Sequence, residues 1–127
     1  MKLIIAGSRN ISHISPVIMQ SFLEAHRIDW RKIDQIVSGT ANGIDTCGEN
    51  FAHCLGIELE RFPADWDKHG KAAGPIRNRQ MADYSDALLL IWDGESSGSK
   101  NMKETMLKQN KPVYEVILNV HKKENKK

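Results

Sequence analysis

The sequence is poor in cysteine. Its two cysteines, Cys47 and Cys54, lie seven residues apart in a segment with helical periodicity. They are therefore predicted to share one helix face as small buried apolar side chains. A disulfide between them is not expected, because two helical turns rise about 11 Å, which is more than a disulfide spans.

Long apolar segments are missing too. No stretch is long enough to cross a bilayer, and the apolar run near the N-terminus ends at Gly7 without the features of a secretory signal. We therefore expect a soluble cytoplasmic protein with no membrane partner. Its 127 residues suit one compact domain that needs neither disulfides nor a metal for stability.

Net charge and aromatic residues are also scarce. The formal net charge is +2, and residues 121–127 contribute four lysines and one glutamate to it, so the remainder has 14 basic against 15 acidic side chains. We divide the chain into a folded domain over residues 1–118 and a basic tail over residues 119–127. Nucleic-acid-binding domains normally combine a basic surface with stacking aromatic side chains. The near-neutral body and eight aromatic residues therefore disfavour nucleic acid as a partner.

The common motifs of dinucleotide, phosphate-loop and metal binding are not found. No glycine occurs between Gly7 and Gly39, which excludes a G-x-G-x-x-G fingerprint at the first strand. The segment from Gly94 to Lys100 lacks the spacing of a P-loop. The histidines and cysteines show no metal-ligand spacing, so no metal site is expected. A simple dehydrogenase or NTPase is disfavoured.

What the sequence does contain is a regular alternation of apolar runs and helical patterns. It predicts strands over residues 3–6, 34–37, 57–62, 87–92 and 112–118, and helices over residues 16–26, 44–55, 75–84 and 99–109. Residues 87–92 are the most hydrophobic and are expected in the interior of the sheet, whereas the weak alternation over 57–62 suits an edge. The alternation indicates an α/β fold with a mainly parallel sheet of about five strands and helices on both faces.

Loops rich in glycine, serine and charged residues follow four of the predicted strands. Ligands of open parallel sheets bind at the carboxyl ends of the strands, so a nucleotide-sized crevice is expected there. The candidate ligand-binding residues in these loops and at the helix starts beside them are Gly7, Ser8, Arg9, Ser38, Gly39, Thr40, Gly43, Asp45, Asp65, Trp66, Asp93, Ser97, Gly98 and Ser99. Asp45 fits equally well as a helix cap, and Trp66 as a side chain that covers the sheet edge.

The segment over residues 64–98 is the most distinctive. Gly74 and Pro75 are predicted to open a helix that carries Arg77 and Arg79 in its first turns. A helix N-terminus with nearby arginines favours phosphate. Because residues two apart on a helix point about 200° from each other, the two arginines cannot both face the crevice equally.

Together these segments resemble the YspA-type (YpsA-related) branch of the SLOG superfamily, which also includes Smf/DprA and the LOG phosphoribohydrolases. The resemblance runs over about residues 2–116 and is carried by Gly7 to Arg9, Ser38 to Asp45, Ala64 to Gly70, Ala73 to Met81, Asp86 to Ala87 and Ser97 to Ser99. It implies a Rossmann-like three-layer sandwich that binds or senses a nucleotide or nucleotide-derived ligand without efficient catalysis.

The resemblance also implies which residues would matter. Arg77 corresponds to the catalytic arginine of LOG enzymes and is the expected ligand-facing arginine. The LOG glutamate that helps cleave the N-glycosidic bond has no counterpart, because Asn101 follows Gly98 to Lys100. An amide cannot act as a general base, so a LOG-like phosphoribohydrolase is only the alternative function. DprA-like nucleic-acid binding is the second alternative, because the near-neutral body and the few aromatic residues disfavour it. Relatives of this architecture often pair, so a homodimer is expected. Met81, Tyr84 and Met106 are candidate interface residues and fit at least equally well as core residues.

Overall fold

A computed structural model describes residues 1–118, and it contains one five-stranded parallel sheet. The predicted basic tail over 119–127 lies outside the described residues. The strands run in the order β3-β2-β1-β4-β5, and each neighbouring pair is parallel. Their bounds are β1 Lys2–Gly7, β2 Gln35–Ser38, β3 Glu58–Arg61, β4 Ala87–Trp92 and β5 Val113–Ile117.

Helices cover both faces of the sheet. The helices are α1 Pro16–Ala25, α2 Ile44–Leu55, α3 Trp66–His69, α4 Ala73–Tyr84 and α5 Ser97–Lys108. On one face, Leu3 and Ile5 of β1 share a buried cluster with Phe51 of α2 and with side chains of α1. On the other face, Ile4 of β1 packs in a second cluster with Met81 of α4 and with side chains of α5. The protein is thus a Rossmann-like three-layer α/β sandwich, as the sequence predicts.

Most element bounds agree with the prediction within one residue, and two helix starts differ by two residues. The predicted bounds of α2 and β4 match the structure, and β4 lies in the sheet interior while β3 lies at an edge. Helix α4 begins at Ala73 because a 3-10 turn over Gly70–Ala72 leads directly into it, so Pro75 is its third residue. Helix α5 begins at Ser97 because the side chain of Ser96 caps it. The single-turn helix α3 was not predicted.

Two predictions about side-chain environment are wrong. Cys47 is buried, but Cys54 is exposed, because it lies in the last turn of α2, where Leu55 makes the contact with the core. Both cysteines are free thiols. Met81 and Met106 are fully buried in the cluster beneath α4 and α5, so they cannot form a subunit interface.

Tyr84 is half-buried and also belongs to the interior. Its ring packs against Phe62 at a centroid distance of 5.3 Å, and its hydroxyl donates a hydrogen bond to the side chain of Gln35. None of the helices over residues 1–118 has both the length and the apolar character needed to cross a membrane.

Candidate functional site

A cleft lies at the carboxyl ends of β1 and β4, between the start of α5 and the start of α4. It has a volume of about 690 Å³, within the range of small-molecule sites. The chain leaves β1 toward β2 on one side and β4 toward β5 on the other, so this is the topological switch point of the sheet. The lining residues are Ala6, Gly7, Ser8, Arg9, Asn10, Asp45, Trp66, Lys71, Gly74, Pro75, Arg77, Asn78, Asp93, Ser96, Ser97, Gly98, Ser99, Asn101 and Met102.

The loop after β1 forms the floor of the cleft. Ser8 is buried, its amide donates to the carbonyl oxygen of Ile91, and its hydroxyl oxygen accepts a hydrogen bond from the amide of Asp93 at 3.1 Å. These bonds tie the ends of β1 and β4 together. Arg9 follows as an exposed side chain at the rim. Ser8 therefore has a structural role, whereas the Arg9 guanidinium is available to an anion.

The start of α5 forms one wall. Oδ1 of Asp93 accepts hydrogen bonds from the amides of Glu95 and Ser96, which closes the turn after β4. The first amides of a helix, here those of Ser97 and Gly98, have no acceptor within the helix. Together with the positive end of the helix dipole they suit an anionic group.

The same turn contains the letters of a G-x-S-x-G nucleophile elbow, with Ser96 between Gly94 and Gly98. Its geometry is that of a helix cap, because Ser96 has an ordinary extended backbone and its Oγ accepts the amide of Ser99 at 3.4 Å. No histidine lines the cleft to act as a base. Ser96 is therefore a cap and lacks the partner that a nucleophilic serine needs.

Arg77 forms the inner wall from α4. Its side chain is only 9% exposed, and its guanidinium donates to the carbonyl oxygen of Gly39 and to Oδ1 of Asn78, the latter at 3.0 Å. Burial lowers the pKa of Arg77, and the nearby carboxylate of Asp45 opposes this shift. Arg79 points away from the cleft, is exposed and makes no ion pair within residues 1–118. The two arginines thus differ in orientation as helix geometry requires.

A chain of amides connects Arg77 to the α5 wall. Because Oδ1 of Asn78 accepts from Arg77, its Nδ2 is the donor to Oδ1 of Asn101, at 2.9 Å. This fixes the orientation of the Asn101 amide, whose own NH₂ group is then available to the cleft. The position that the LOG resemblance assigns to a glutamate therefore presents a hydrogen-bond donor.

Asp45, in the first turn of α2, is the one acidic side chain that is buried within the described part of the chain, with 5% exposure. Its Oδ2 accepts the amide of Ala41 at 3.1 Å. Burial raises its pKa from 3.8 to about 6 and the charge of Glu49 adds to the shift, while the Ala41 amide and the charges of Arg77 and Arg9 oppose it. The group thus titrates near neutral pH, which is typical of functional sites.

Trp66 and Lys71 form the outer wall. Trp66 is the first residue of α3, its ring lies 51% exposed, and it approaches the start of α4 at Gly74. Lys71 is exposed on the 3-10 turn that follows. Asp65 does not line the cleft, because its carboxylate caps α3 by accepting the amide of Lys68 at 3.1 Å.

The loop between β2 and α2 does not line the cleft, although the sequence placed Ser38, Gly39, Thr40 and Gly43 there. Arg77 lies over this loop: a methyl group on Gly39 would lie 2.7 Å from Nη1 of Arg77 and 2.9 Å from Oδ2 of Asp45. The Ser38 hydroxyl donates a hydrogen bond to Oε2 of Glu49 at 2.6 Å and accepts one from the amide of Thr40 at 3.0 Å. The loop positions two charged side chains of the cleft, Asp45 through the Ala41 amide and Arg77 through the Gly39 carbonyl oxygen.

Other predicted residues do meet in the cleft: Gly7, Ser8, Arg9, Asp45, Trp66, Arg77, Asp93, Ser97, Gly98 and Ser99. Residues that sequence reasoning did not select for the site include Lys71, Asn78 and Asn101. Asn101 lies four residues after Ser97 on α5, so helical spacing from a selected residue was the available signal for it, whereas Asn78 directly follows Arg77 and no such spacing indicated it. No group of histidine, cysteine and acidic side chains within residues 1–118 is arranged to hold a metal ion.

The fold and the cleft define a Rossmann-like α/β protein with a polar strand-end site. No protein-family profile matches the chain. The chain is similar to the Gene 61 protein of Mycobacterium phage D29, with 29% identity over 118 residues that span 88% of this chain and 93% of the phage protein. The name of the phage protein states no ligand or activity, so functional inference depends on the cleft.

Proposed function

We propose that the protein binds a nucleotide or nucleotide-derived ligand in this cleft, as a binding or sensing protein of the SLOG type without efficient catalysis. The observation that carries the proposal is one cleft that joins a helix N-terminus, three cationic side chains and an exposed indole ring. The cations are Arg9, Lys71 and Arg77, and the ring is that of Trp66. The cytoplasmic location expected from the sequence remains part of the proposal.

The phosphate end of the ligand would lie at the start of α5. There the amides of Ser97 and Gly98 and the guanidinium of Arg9 line the same cleft, and such a combination of helix dipole and arginine fork is well suited to phosphate. Arg77 adds positive charge at the inner wall of the cleft, while its guanidinium donates a hydrogen bond to the carbonyl oxygen of Gly39. The base would stack on the exposed face of Trp66, because aromatic side chains bind the faces of all bases.

The Asn101 amide is the observation that supports the proposed lack of efficient catalysis. Cleavage of an N-glycosidic bond requires stabilisation of a cationic sugar and activation of water. Asn101 accepts a hydrogen bond from Asn78, so it presents a donor where a carboxylate would be needed. This supports binding without turnover.

An N-glycosidic hydrolase is the second candidate, favoured by one observation. Asp45 lines the cleft with its pKa raised to about 6, and a carboxyl that titrates near the working pH is suited to general acid–base catalysis. DprA-like binding of single-stranded nucleic acid is less well supported, because Trp66 is the single aromatic residue in the cleft lining.

A thermal-shift screen followed by product analysis tests the proposal. A ligand that binds only the folded state raises its unfolding temperature, so AMP, GTP, NAD, ADP-ribose and cyclic dinucleotides are compared on wild type, Arg9→Ala and Arg79→Ala. The Arg79 variant has the same loss of charge on an exposed side chain outside the cleft. We expect stabilisation that Arg9→Ala reduces and Arg79→Ala retains, with no free base released. Release of base at about 1 per second or faster would favour the hydrolase.

We also propose self-association as a homodimer, on the strength of the resemblance alone. The interface would have to use exposed apolar side chains such as Val17, Ile18 and Leu107. Light scattering at high protein concentration tests this, because a mass near 14.4 kDa would identify a monomer.

A further inference from the structure

Asp45 is a buried hydrogen-bond acceptor that lines the cleft, and only one of its two carboxylate oxygens accepts a hydrogen bond within residues 1–118. Its Oδ2 accepts the Ala41 amide, and its Oδ1 accepts no hydrogen bond from any residue over 1–118. Arg77 does not approach within ion-pair distance of it and is instead bonded to Gly39 and Asn78. A buried carboxylate without a paired cation is costly unless a donor satisfies it.

The remainder of the cleft offers mainly donors. Arg9, Lys71, the start of α5 and the fixed NH₂ group of Asn101 all suit phosphate or carbonyl oxygens. A phosphate group placed against Asp45 would meet a second anion. A sugar hydroxyl placed there would donate a hydrogen bond to Oδ1, and acidic side chains accept ribose hydroxyls in this way in Rossmann-like nucleotide sites.

We infer that Asp45 accepts a hydrogen bond from a 2′ or 3′ hydroxyl of a ribose, so that the cleft selects ribonucleotides over their deoxy counterparts. This inference rests on the proposed function. It places the ribose of the nucleotide against Asp45, the phosphate at the start of α5 and the base on the ring of Trp66. Asp45 is then a specificity-determining residue.

The experiment measures the ratio of two affinities on the same variant. The four ribonucleoside 5′-monophosphates and their 2′-deoxy and 3′-deoxy forms are titrated calorimetrically at pH 7.5 into wild type, Asp45→Asn and Glu104→Gln. Glu104 is exposed on α5 and outside the cleft, so its variant is a matched control for loss of one negative charge. Because both ligands are compared on the same protein, a change in stability does not alter the ratio.

For wild type and Glu104→Gln we expect the ribonucleotide to bind at least about tenfold more tightly than one of the deoxy forms, as for a hydrogen bond to a charged group. In Asp45→Asn the amide oxygen can accept from Ala41 and the NH₂ group then faces the cleft, where it can make only a weaker neutral hydrogen bond to the hydroxyl oxygen, so the preference should fall several-fold. Equal binding of ribo and deoxy forms by wild type, or an unchanged preference in Asp45→Asn, would overturn the inference and leave the proposed function standing. If neither a monophosphate nor any ligand of the thermal-shift screen binds wild type, the proposed function fails and the inference fails with it.

Discussion

Replacement of Asp45 by asparagine should make the stability of the protein less dependent on pH. Burial raises the pKa of Asp45 from 3.8 to about 6, so between these values the folded protein retains a proton that the unfolded chain has lost. The stabilising contribution of the protonated carboxyl is full below pH 3.8 and is lost as the pH rises through about 6. A shift of about 2 pKa units corresponds to about 3 kcal/mol in the free energy of unfolding.

The size of the effect makes it measurable. A domain of this kind unfolds with about 5–15 kcal/mol, so a change of about 3 kcal/mol is a large fraction. The asparagine keeps an acceptor for the Ala41 amide and removes the charge, while Arg77, Arg9 and Glu49 stay in place around it.

Urea denaturation of wild type and Asp45→Asn between about pH 4 and pH 8 provides the assay. We expect the stability of wild type minus that of the variant to fall by about 2.5 kcal/mol over this range, because the unfolded carboxyl is already partly ionised at pH 4. Other titrating groups are common to both proteins and cancel in the difference. A difference for Asp45→Asn that does not change with pH would refute our account of its environment.

Three further substitutions test the rest of the site and the fold. Arg9→Ala should weaken nucleotide binding about tenfold, and by more than Arg9→Lys does. Because the side chain is exposed, the free energy of unfolding should stay within about 0.5 kcal/mol of wild type. Equal affinities of the two variants, measured by calorimetry, would contradict this. Arg77→Ala should weaken nucleotide binding and lower the free energy of unfolding by about 2 kcal/mol, because its guanidinium holds Gly39 and Asn78. Arg79→Ala should leave binding and stability nearly unchanged. Larger effects from Arg79→Ala than from Arg77→Ala would show that the wrong arginine is assigned to the cleft. Gly43→Ala should lower the free energy of unfolding in urea by more than about 1 kcal/mol, because φ of Gly43 is +81° and the methyl group would overlap the loop after β1. Gly56→Ala should destabilise less, because Gly56 has a φ of +70° but lies in open space. Equal destabilisation by the two substitutions would refute the role of the overlap.

Much of the fold is predictable because the three inner strands, β1, β2 and β4, contain short apolar runs. The six residues of β4 are all buried, and their uninterrupted apolar character gives both bounds correctly. Helix α2 is equally well defined, since its apolar period begins at Ile44 and Gly56 ends it in the left-handed conformation.

Helix starts are less predictable where several residues can serve as the cap. Ser96, Ser97 and Ser99 all fit the cap of α5 by type, and only the bond from the Ser99 amide to Ser96 selects the first of them. The start of α4 depends on a 3-10 turn that has no apolar period.

The candidate site was predictable as a location and less so as a set of contacts. Strand-end loops identify the edge of the sheet, and Ser8 and Asp93 do meet there. The long side chain of Arg77 crosses onto Gly39 and separates the β2–α2 loop from the cleft, which no local pattern indicates. The pairing of Asn78 with Asn101 likewise depends on how α4 and α5 pack.

The most direct test of the central claim is to locate a bound nucleotide by NMR. The strongest binder from the thermal-shift screen is titrated into ¹⁵N-labelled protein while backbone amides and the three tryptophan indole groups are followed. We predict saturable shifts at the amides of Ser97 and Gly98 and at the indole of Trp66, with smaller changes at Trp30, which packs against the core away from the cleft. Saturable shifts confined to residues outside the cleft, or no response to any nucleotide in the screen, would contradict the claim.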